Sequence, residues 1–329
     1  MKASASDEPS PSWRAARDAA NVGPHLADPW IAYRVAHGVA ARFVTVATDE
    51  LEAAAGGVVY LARPRFRPWI RPRASLDLLP RFTAAASAKL GADLAAAHTE
   101  LARALIELAR ASGWARLEIE SFDGPTPPPD LKTLGCATRE RFEFLLDLAA
   151  PAEGRFAALK SSHRRKVRDA EKSGVTVADE TGAAAVAILR ELQGHTQERR
   201  TGRGEPMDAP DADRFRRLAE IFVARGGGAL IVGRRDGRPL SAILCGVATR
   251  RAYYLIGGTS PEGFECNAAT LVLWRASELL ATRGVATLNL GGVPRDAEQP
   301  DHPEHGLFRF KEGFGAARVE CCSGIWSRP

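Results

Sequence analysis

The chain of 329 residues has no run of about 18 apolar residues, the length needed to cross a bilayer, so an integral membrane protein is not expected. Its start, MKASASDEPSPSW, has one lysine and no apolar core, so a secretory signal is not expected; residues 1–21 read as a disordered lead. The five cysteines (Cys136, Cys245, Cys266, Cys321, Cys322) contain no CxxC pair, so neither a disulfide framework nor a zinc site is expected. They fit thiols in a reducing cytoplasm. Also missing are a G-x-S-x-G elbow, a cysteine with a catalytic histidine context and H-E-x-x-H, which removes the common routes to a covalent or metal-activated hydrolase. The scarcest informative residue is lysine. There are 7 lysines against 38 arginines, and from Ser173 to Pro329 the one lysine among 19 arginines is Lys311.

What is present is ordinary globular material, 45% hydrophobic and 26% charged, long enough for two domains with their own cores. The net charge of +5 sits wholly in the second half, since residues 1–150 hold 18 basic and 18 acidic side chains. Two basic clusters stand out. Arg63, Arg65, Arg67, Arg71 and Arg73 are interleaved with prolines, which forbid a regular helix and predict a loop or sheet edge. Lys160, Arg164, Arg168 and Lys172 are spaced four apart and share one helix face with Arg165 beside them, while Phe156, Leu159, His163, Val167 and Ala170 line the opposite, core-facing stripe. Lys160, Arg164, Arg165 and Arg168 are therefore candidate RNA- or anion-binding residues.

The chain also contains a repeat. Residues 104–119, ALIELARASGWARLEI, align without a gap on 275–290, RASELLATRGVATLNL, at an offset of 171, with Glu107/Glu278, Leu108/Leu279, Gly113/Gly284, Ala115/Ala286 and Leu117/Leu288 identical. Each copy reads as amphipathic helix, glycine cap and short strand. A second correspondence, LKTLGC (131–136) on RFKEGF (309–314), follows at an offset of 178. Around these, strands are expected at 42–47, 58–62, 115–121, 143–148, 229–234, 240–247, 252–257 and 287–290. Helices are expected at 99–111, 184–199, 211–224 and 268–282, and Asp236-Gly237 suits a tight hairpin. Antiparallel strands followed by helix and strand predict an α+β fold with a mixed sheet and disfavour a doubly wound dinucleotide fold. The expected division is 22–150 and 151–329.

Four stretches in this order resemble the GNAT superfamily of acyltransferases, and within it the tandem-domain FemAB-type proteins that add aminoacyl groups to peptidoglycan precursors. They are LKTLGCATRERFEFLLDL (131–148), LKSSHRRKVRDAEKSGVTV (159–177), YYLIGGTSPE (253–262) and LFRFKEGFG (307–315). The resemblance implies two tandem GNAT-like domains, the second bearing the site. It also implies direct transfer of an acyl or aminoacyl group from a thioester or ester carrier to an amine, with no tightly bound cofactor. Direct attack needs positioned substrates and stabilisation of the oxyanion. Lys311, a compact point charge in an arginine-rich chain, is the candidate for that role. Arg199, Tyr254, Asn289 and Phe310 are the candidate substrate-binding residues, although strand alternation lets only one of Tyr253 and Tyr254 face a cleft.

Two decoys are set aside. RRTGRG (199–204) has the R-x-x-G-x-G spacing of a coenzyme A pyrophosphate loop but follows a helix, whereas such a loop must lead into a helix N-terminus. DHPEH (301–305), with Pro300 before it and Pro303 within it, reads as an irregular loop, with His302 or His305 a remote proton acceptor. The expected donor is aminoacyl-tRNA, with tRNA as partner. The acceptor is an amine on a peptidoglycan precursor, a peptide or an amino acid. An acetyl- or acyl-coenzyme A-dependent N-acyltransferase and a non-catalytic GNAT-like binding protein are the alternatives.

Overall fold

The computed structural model describes residues 1–62, 71–91, 93–202 and 212–329; Arg63, Arg65, Arg67, Arg203 and Gly204 of the motifs above lie outside them. In chain order the elements are β1 (Lys2–Ser6), α1 (Pro11–Ala19), α2 (Asp28–Ala36), β2 (Ala40–Ala47), β3 (Ala55–Ala62), β4 (Arg73–Leu76), β5 (Arg81–Phe82), α3 (Ala84–Leu90), α4 (Leu94–Ala111), β6 (Arg116–Ile119) and β7 (Ala137–Asp147). They continue with α5 (Ala152–Ala158), α6 (Ser161–Lys172), β8 (Thr176–Glu180), α7 (Ala183–Gly202), α8 (Ala212–Ala224), β9 (Gly228–Arg235), β10 (Arg238–Ala248) and β11 (Arg251–Thr259). The chain ends with α9 (Pro261–Glu265), α10 (Ala268–Thr282), β12 (Thr287–Pro294), α11 (His305–Glu312) and β13 (Ala317–Ser327). This is the mixed α+β architecture that the pattern of elements predicts.

The chain forms two compact units, one of Met1–Glu143 with Gly292–Arg295 and Val319–Pro329, the other of Phe144–Gly291 with Asp296–Arg318. The first division therefore falls at Glu143, seven residues before the expected boundary, and the C-terminus returns to the first unit because Gly324–Ser327 pair with Arg116–Ile119. In the first unit the strand order is β1-β2-β3-β4-β6-β13, with β5 beside β3. Its core sets Leu101, Leu105 and Ala109 of α4 against Val46, Val59, Leu76, Leu117 and Ile119, and each fully buried leucine contributes roughly 1.5–3 kcal/mol.

The expected disordered lead is folded. Lys2–Ser6 pair antiparallel with β2, and Ser10 caps α1 by accepting from the Trp13 amide, with Pro11 at the first helical position. Trp13 is 1% exposed and its indole donates to the Gly57 carbonyl at 2.8 Å. The same serine and proline that suggest disorder by composition are a helix start by position.

In the second unit the order is β12-β11-β10-β9-β8, antiparallel except for β11 with β12. Asp236 and Gly237, both at positive φ, turn β9 into β10 as the Asp-Gly signal predicts. Helices cover both faces. A Cβ at Gly258 would meet the Leu192 backbone of α7 at 2.4 Å, and one at Gly233 would meet Val272 of α10 at 2.5 Å. The register links Gly258 to Ala242 and Val232, neighbour of Gly233, so the two glycines point to opposite faces.

Candidate active site

The parallel pair at the end of this sheet comes apart. Register between β11 and β12 runs from Arg251/Thr287 to Tyr253/Asn289 and stops, although β11 continues to Thr259 and β12 to Pro294. Past that point each strand must satisfy its backbone otherwise. Asn289, with 0% exposure, does part of this: its Oδ1 accepts the Gly291 amide at 2.8 Å. Gly291 then adopts φ +75°, a conformation that glycine reaches without steric cost.

Two polar side chains border the space that a side chain at Gly291 would occupy. A Cβ there would lie 3.4 Å from Tyr253 Oη and 3.5 Å from Lys311 Nζ. Lys311 is 7% and Tyr253 5% exposed. The lysine stands in the last turn of α11, whose Phe308 is buried. Two donors, one cationic, thus converge on a side-chain-free stretch of backbone where the ladder opens. Such an arrangement would hold an oxygen that gains negative charge during acyl transfer.

Of the candidates read from sequence, Lys311 and Asn289 are brought together here. Lys311 rides on a helix that begins at His305, so of DHPEH residues 301–304 form the expected irregular loop and His305 alone is helical. Tyr254 is turned away. A Cβ at Gly257 would strike its Oη at 2.0 Å, and burial pushes its phenol well above the ordinary range. Tyr253 faces Lys311 in its place, and the signal for this was its register opposite Asn289. Phe310 contributes its backbone: His163 Nε2 lies 3.0 Å from its carbonyl oxygen, while its ring stacks edge-on with Phe314. Arg199 sits over the Phe264 ring, 5.0 Å from its centroid, with Nη1 3.5 Å from the Thr259 carbonyl. Thr259 is six residues, about 20 Å of extended strand, beyond Tyr253.

The basic helix α6 is less open to anions than its sequence suggests. Lys160 Nζ binds Glu312 at 2.5 Å. Arg164 donates to the carbonyls of Ala157 and Leu159, closing the end of α5. Arg168 lies over the Phe156 ring at 5.5 Å and stays exposed, as does Arg165, which has no ion pair or hydrogen bond among the described residues. Beside them is an open groove of 620 Å³ lined by Phe156, Trp274, Arg164, Arg168, Glu153 and Glu278, where two carboxylates oppose the two guanidinium groups.

Arg199–Gly202 of the RRTGRG motif form the end of α7, not a phosphate-cradling turn. The turn from β11 to α10 holds the short helix α9, with the Gly263 amide donated to Ser260 Oγ at 3.0 Å and Glu262 paired with Arg235. In DHPEH, His302 Nδ1 accepts the Glu304 amide and His305 Nδ1 lies 3.2 Å from the Ala297 carbonyl. Among the described residues no group of three His, Cys, Asp or Glu side chains gathers to hold a metal, and no helix is long and apolar enough to cross a membrane.

Residues 157–312 match the family model described as an acetyltransferase (GNAT) domain. Among solved structures, FemX aligns over 98% of this chain and 97% of its own, with a TM-score of 0.74 at 16% identity. L-PGS from Bacillus licheniformis aligns over 97% and 92%, with a TM-score of 0.54 at 12% identity. At these identities the likeness establishes the fold. A search of curated protein sequences gave no match.

Proposed function

We propose that the chain, whose residues 157–312 match a GNAT acetyltransferase domain, is an acyltransferase that transfers an aminoacyl group from aminoacyl-tRNA to an amine, forming an amide. The observation that carries the reading is the meeting of Lys311 Nζ and Tyr253 Oη at the side-chain-free Gly291, where β11 and β12 part. In the reaction the amine nitrogen attacks the ester carbonyl. Lys311 and Tyr253 donate to the developing oxyanion, and on collapse the ribose hydroxyl leaves with a proton while the C–N bond remains. No covalent enzyme intermediate is needed, because positioning and charge stabilisation suffice.

The donor is assigned from the phosphate-binding features. The turn ahead of α10 carries Glu262 and Glu265, with the Gly263 amide of α9 taken by Ser260 Oγ; the N-terminus of α10, at Asn267, has no side-chain cap, so it is the negative charge of the turn that disfavours a pyrophosphate there. Arg165 and Arg168 remain exposed for an RNA backbone, and their contribution would weaken with salt. The acceptor class follows the FemAB-type resemblance: an amine on a peptidoglycan precursor, a peptide or an amino acid, in the cytoplasm where charged tRNA is found.

The test offers the purified protein total tRNA charged with labelled amino acids, or labelled acetyl-coenzyme A, with a mixture of amine acceptors. Transfer from the RNA pool, falling as salt rises, is the expected result. Transfer from acetyl-coenzyme A alone would move the chain to the N-acetyltransferases, and no transfer from either would leave a binding protein.

A further inference from the structure

The last turn of the helix that bears Lys311 is satisfied from two directions. A helix leaves its final carbonyls without intrahelical partners, and α11 resolves them one by one. Those of Arg309, Lys311 and Glu312 accept the amides of Gly313, Phe314 and Gly315 at 3.1, 3.2 and 3.1 Å. The two between and beyond, Phe310 and Gly313, turn to α6. Gly313 accepts the Lys160 amide at 2.9 Å, and Phe310 accepts from His163 Nε2 at 3.0 Å.

His163 is fitted for this contact. It is 5% exposed, and its ring stands edge-on to Phe314 at 4.9 Å and tilted to Phe310 at 5.9 Å. Its Nδ1 is buried with no hydrogen-bond partner, so the proton belongs on Nε2, where the carbonyl needs it. Burial holds the ring below the ordinary histidine range, Lys166 and Lys160 add to that, and the Phe310 bond opposes it. The space is made by glycine: a Cβ at Gly313 would lie 2.0 Å from His163 Cε1. Gly313 has φ −63° and ψ −18°, ordinary helical values that any residue adopts, so the glycine is there for the imidazole and not for the backbone.

We propose that His163 is a positioning residue for Lys311: by holding the carbonyl of the preceding residue it fixes the pitch of the last turn of α11 and with it the direction of the ammonium. The proposal rests on the reading of Lys311 as the oxyanion donor. It also gives α6 a role that its charge obscured, since the core-facing histidine, together with the Lys160 contacts to Gly313 and Glu312, couples this helix to the site.

The test is trace acetylation of the native protein with acetic anhydride at fixed pH, quantified peptide by peptide, with exposed Lys132 as internal reference and the unfolding midpoint measured on the same samples. H163L, which keeps bulk and loses the donor, and G313A, which leaves the backbone unstrained and displaces the ring, are each expected to change the Lys311-to-Lys132 reactivity ratio at least threefold. H163Q places an amide nitrogen near the position of Nε2 and should stay within twofold of the parent. The same threefold change should vanish when G313A is added to H163A, where no ring remains to displace. An unchanged ratio in G313A, or equal behaviour of H163Q and H163L, overturns the proposal, and G313A decides alone should H163L fail to fold. Should K311A retain full transfer while these ratios shift as expected, the catalytic reading of Lys311 fails and the clamp stands.

Discussion

The two copies of the repeated unit share their scaffold and differ in whether it opens. In the first, α4 ends with Ser112, Gly113 and Trp114 donating to Leu108, Arg110 and Ala109; in the second, Arg283, Gly284 and Val285 donate to Leu279, Ala281 and Leu280, the same bonds 171 residues on. The parallel ladders also begin at matching places, Arg73/Arg116 and Arg251/Thr287. In the first copy, pairing continues through Leu76/Ile119 and beyond, with Glu120 donating to Leu76 and Phe122 to Asp77. In the second it stops at Tyr253/Asn289. The register sets Ser75 and Glu118 where the second copy has Tyr253 and Asn289, and the 178-residue offset sets Thr133 at the place of Lys311. These three are engaged locally, Ser75 by Arg34, Glu118 by Arg116 and Thr133 by Asp130. The repeated scaffold does not repeat the opening: in the second copy alone the ladder parts and leaves space beside the backbone, and the proposed site is placed there.

The largest expected contrast is between equivalent substitutions in the two copies. K311A should lower transfer by roughly 100-fold or more, the usual cost of removing one oxyanion donor, while T133A leaves it within twofold. Steady-state turnover with circular dichroism as the folding control measures both, and equal losses would erase the distinction.

The closed copy should show itself in acid. His25 lies stacked on Phe122 and against Trp30, and burial lowers its pKa to about 3, with Arg141 and Arg34 acting in the same direction and Asp123 opposing. Below about pH 6.5 the unfolded chain takes up a proton that the folded chain refuses, so this contribution is complete above pH 6.5. It is lost as pH falls toward 3, by roughly 3–5 kcal/mol in total. Urea unfolding between pH 7 and 4 should weaken with falling pH in the parent and weaken less in H25Q; parallel curves would remove the histidine from the account.

Glycine replacements sharpen the comparison next. Gly291 and Gly113 both sit at positive φ, so alanine costs roughly 1–2 kcal/mol at either. Nothing lies within 4 Å of a Cβ at Gly113, whereas one at Gly291 would sit in van der Waals contact with Tyr253 Oη and Lys311 Nζ and fill the space beside them. Thermal unfolding should fall in both variants and turnover about tenfold in G291A alone. The smallest effect belongs to S75A, expected to change neither rate nor midpoint measurably.

Much of the architecture was legible because it rests on local signals. The glycine caps at Gly113 and Gly284, the Asp236-Gly237 hairpin and the helix at 268–282 follow from turn chemistry and periodicity. The folded N-terminus was missed because composition outweighed position at Ser10-Pro11, and the tryptophan that anchors it finds its partner, Gly57, far along the chain. In the site, the rarity of lysine singled out Lys311. The choice between Tyr253 and Tyr254 could not be made from alternation alone, since it depends on which residue stands opposite Asn289 across a tertiary pairing. Which members of the α6 stripe stay open was hidden for a similar reason: Lys160 and Arg164 find partners in α11 and α5 that the helix's own pattern does not reveal.

The central claim is that donor binds where the second copy's strands diverge and leaves the first copy untouched. Hydrogen–deuterium exchange with and without saturating donor, using whichever of charged tRNA or acetyl-coenzyme A supports turnover, tests it directly. The account predicts slower exchange in β11 from Tyr254 to Thr259 and at Gly291, with 73–76 and 116–119 unchanged. Protection of the first copy's strands, or none at the divergence, would contradict it.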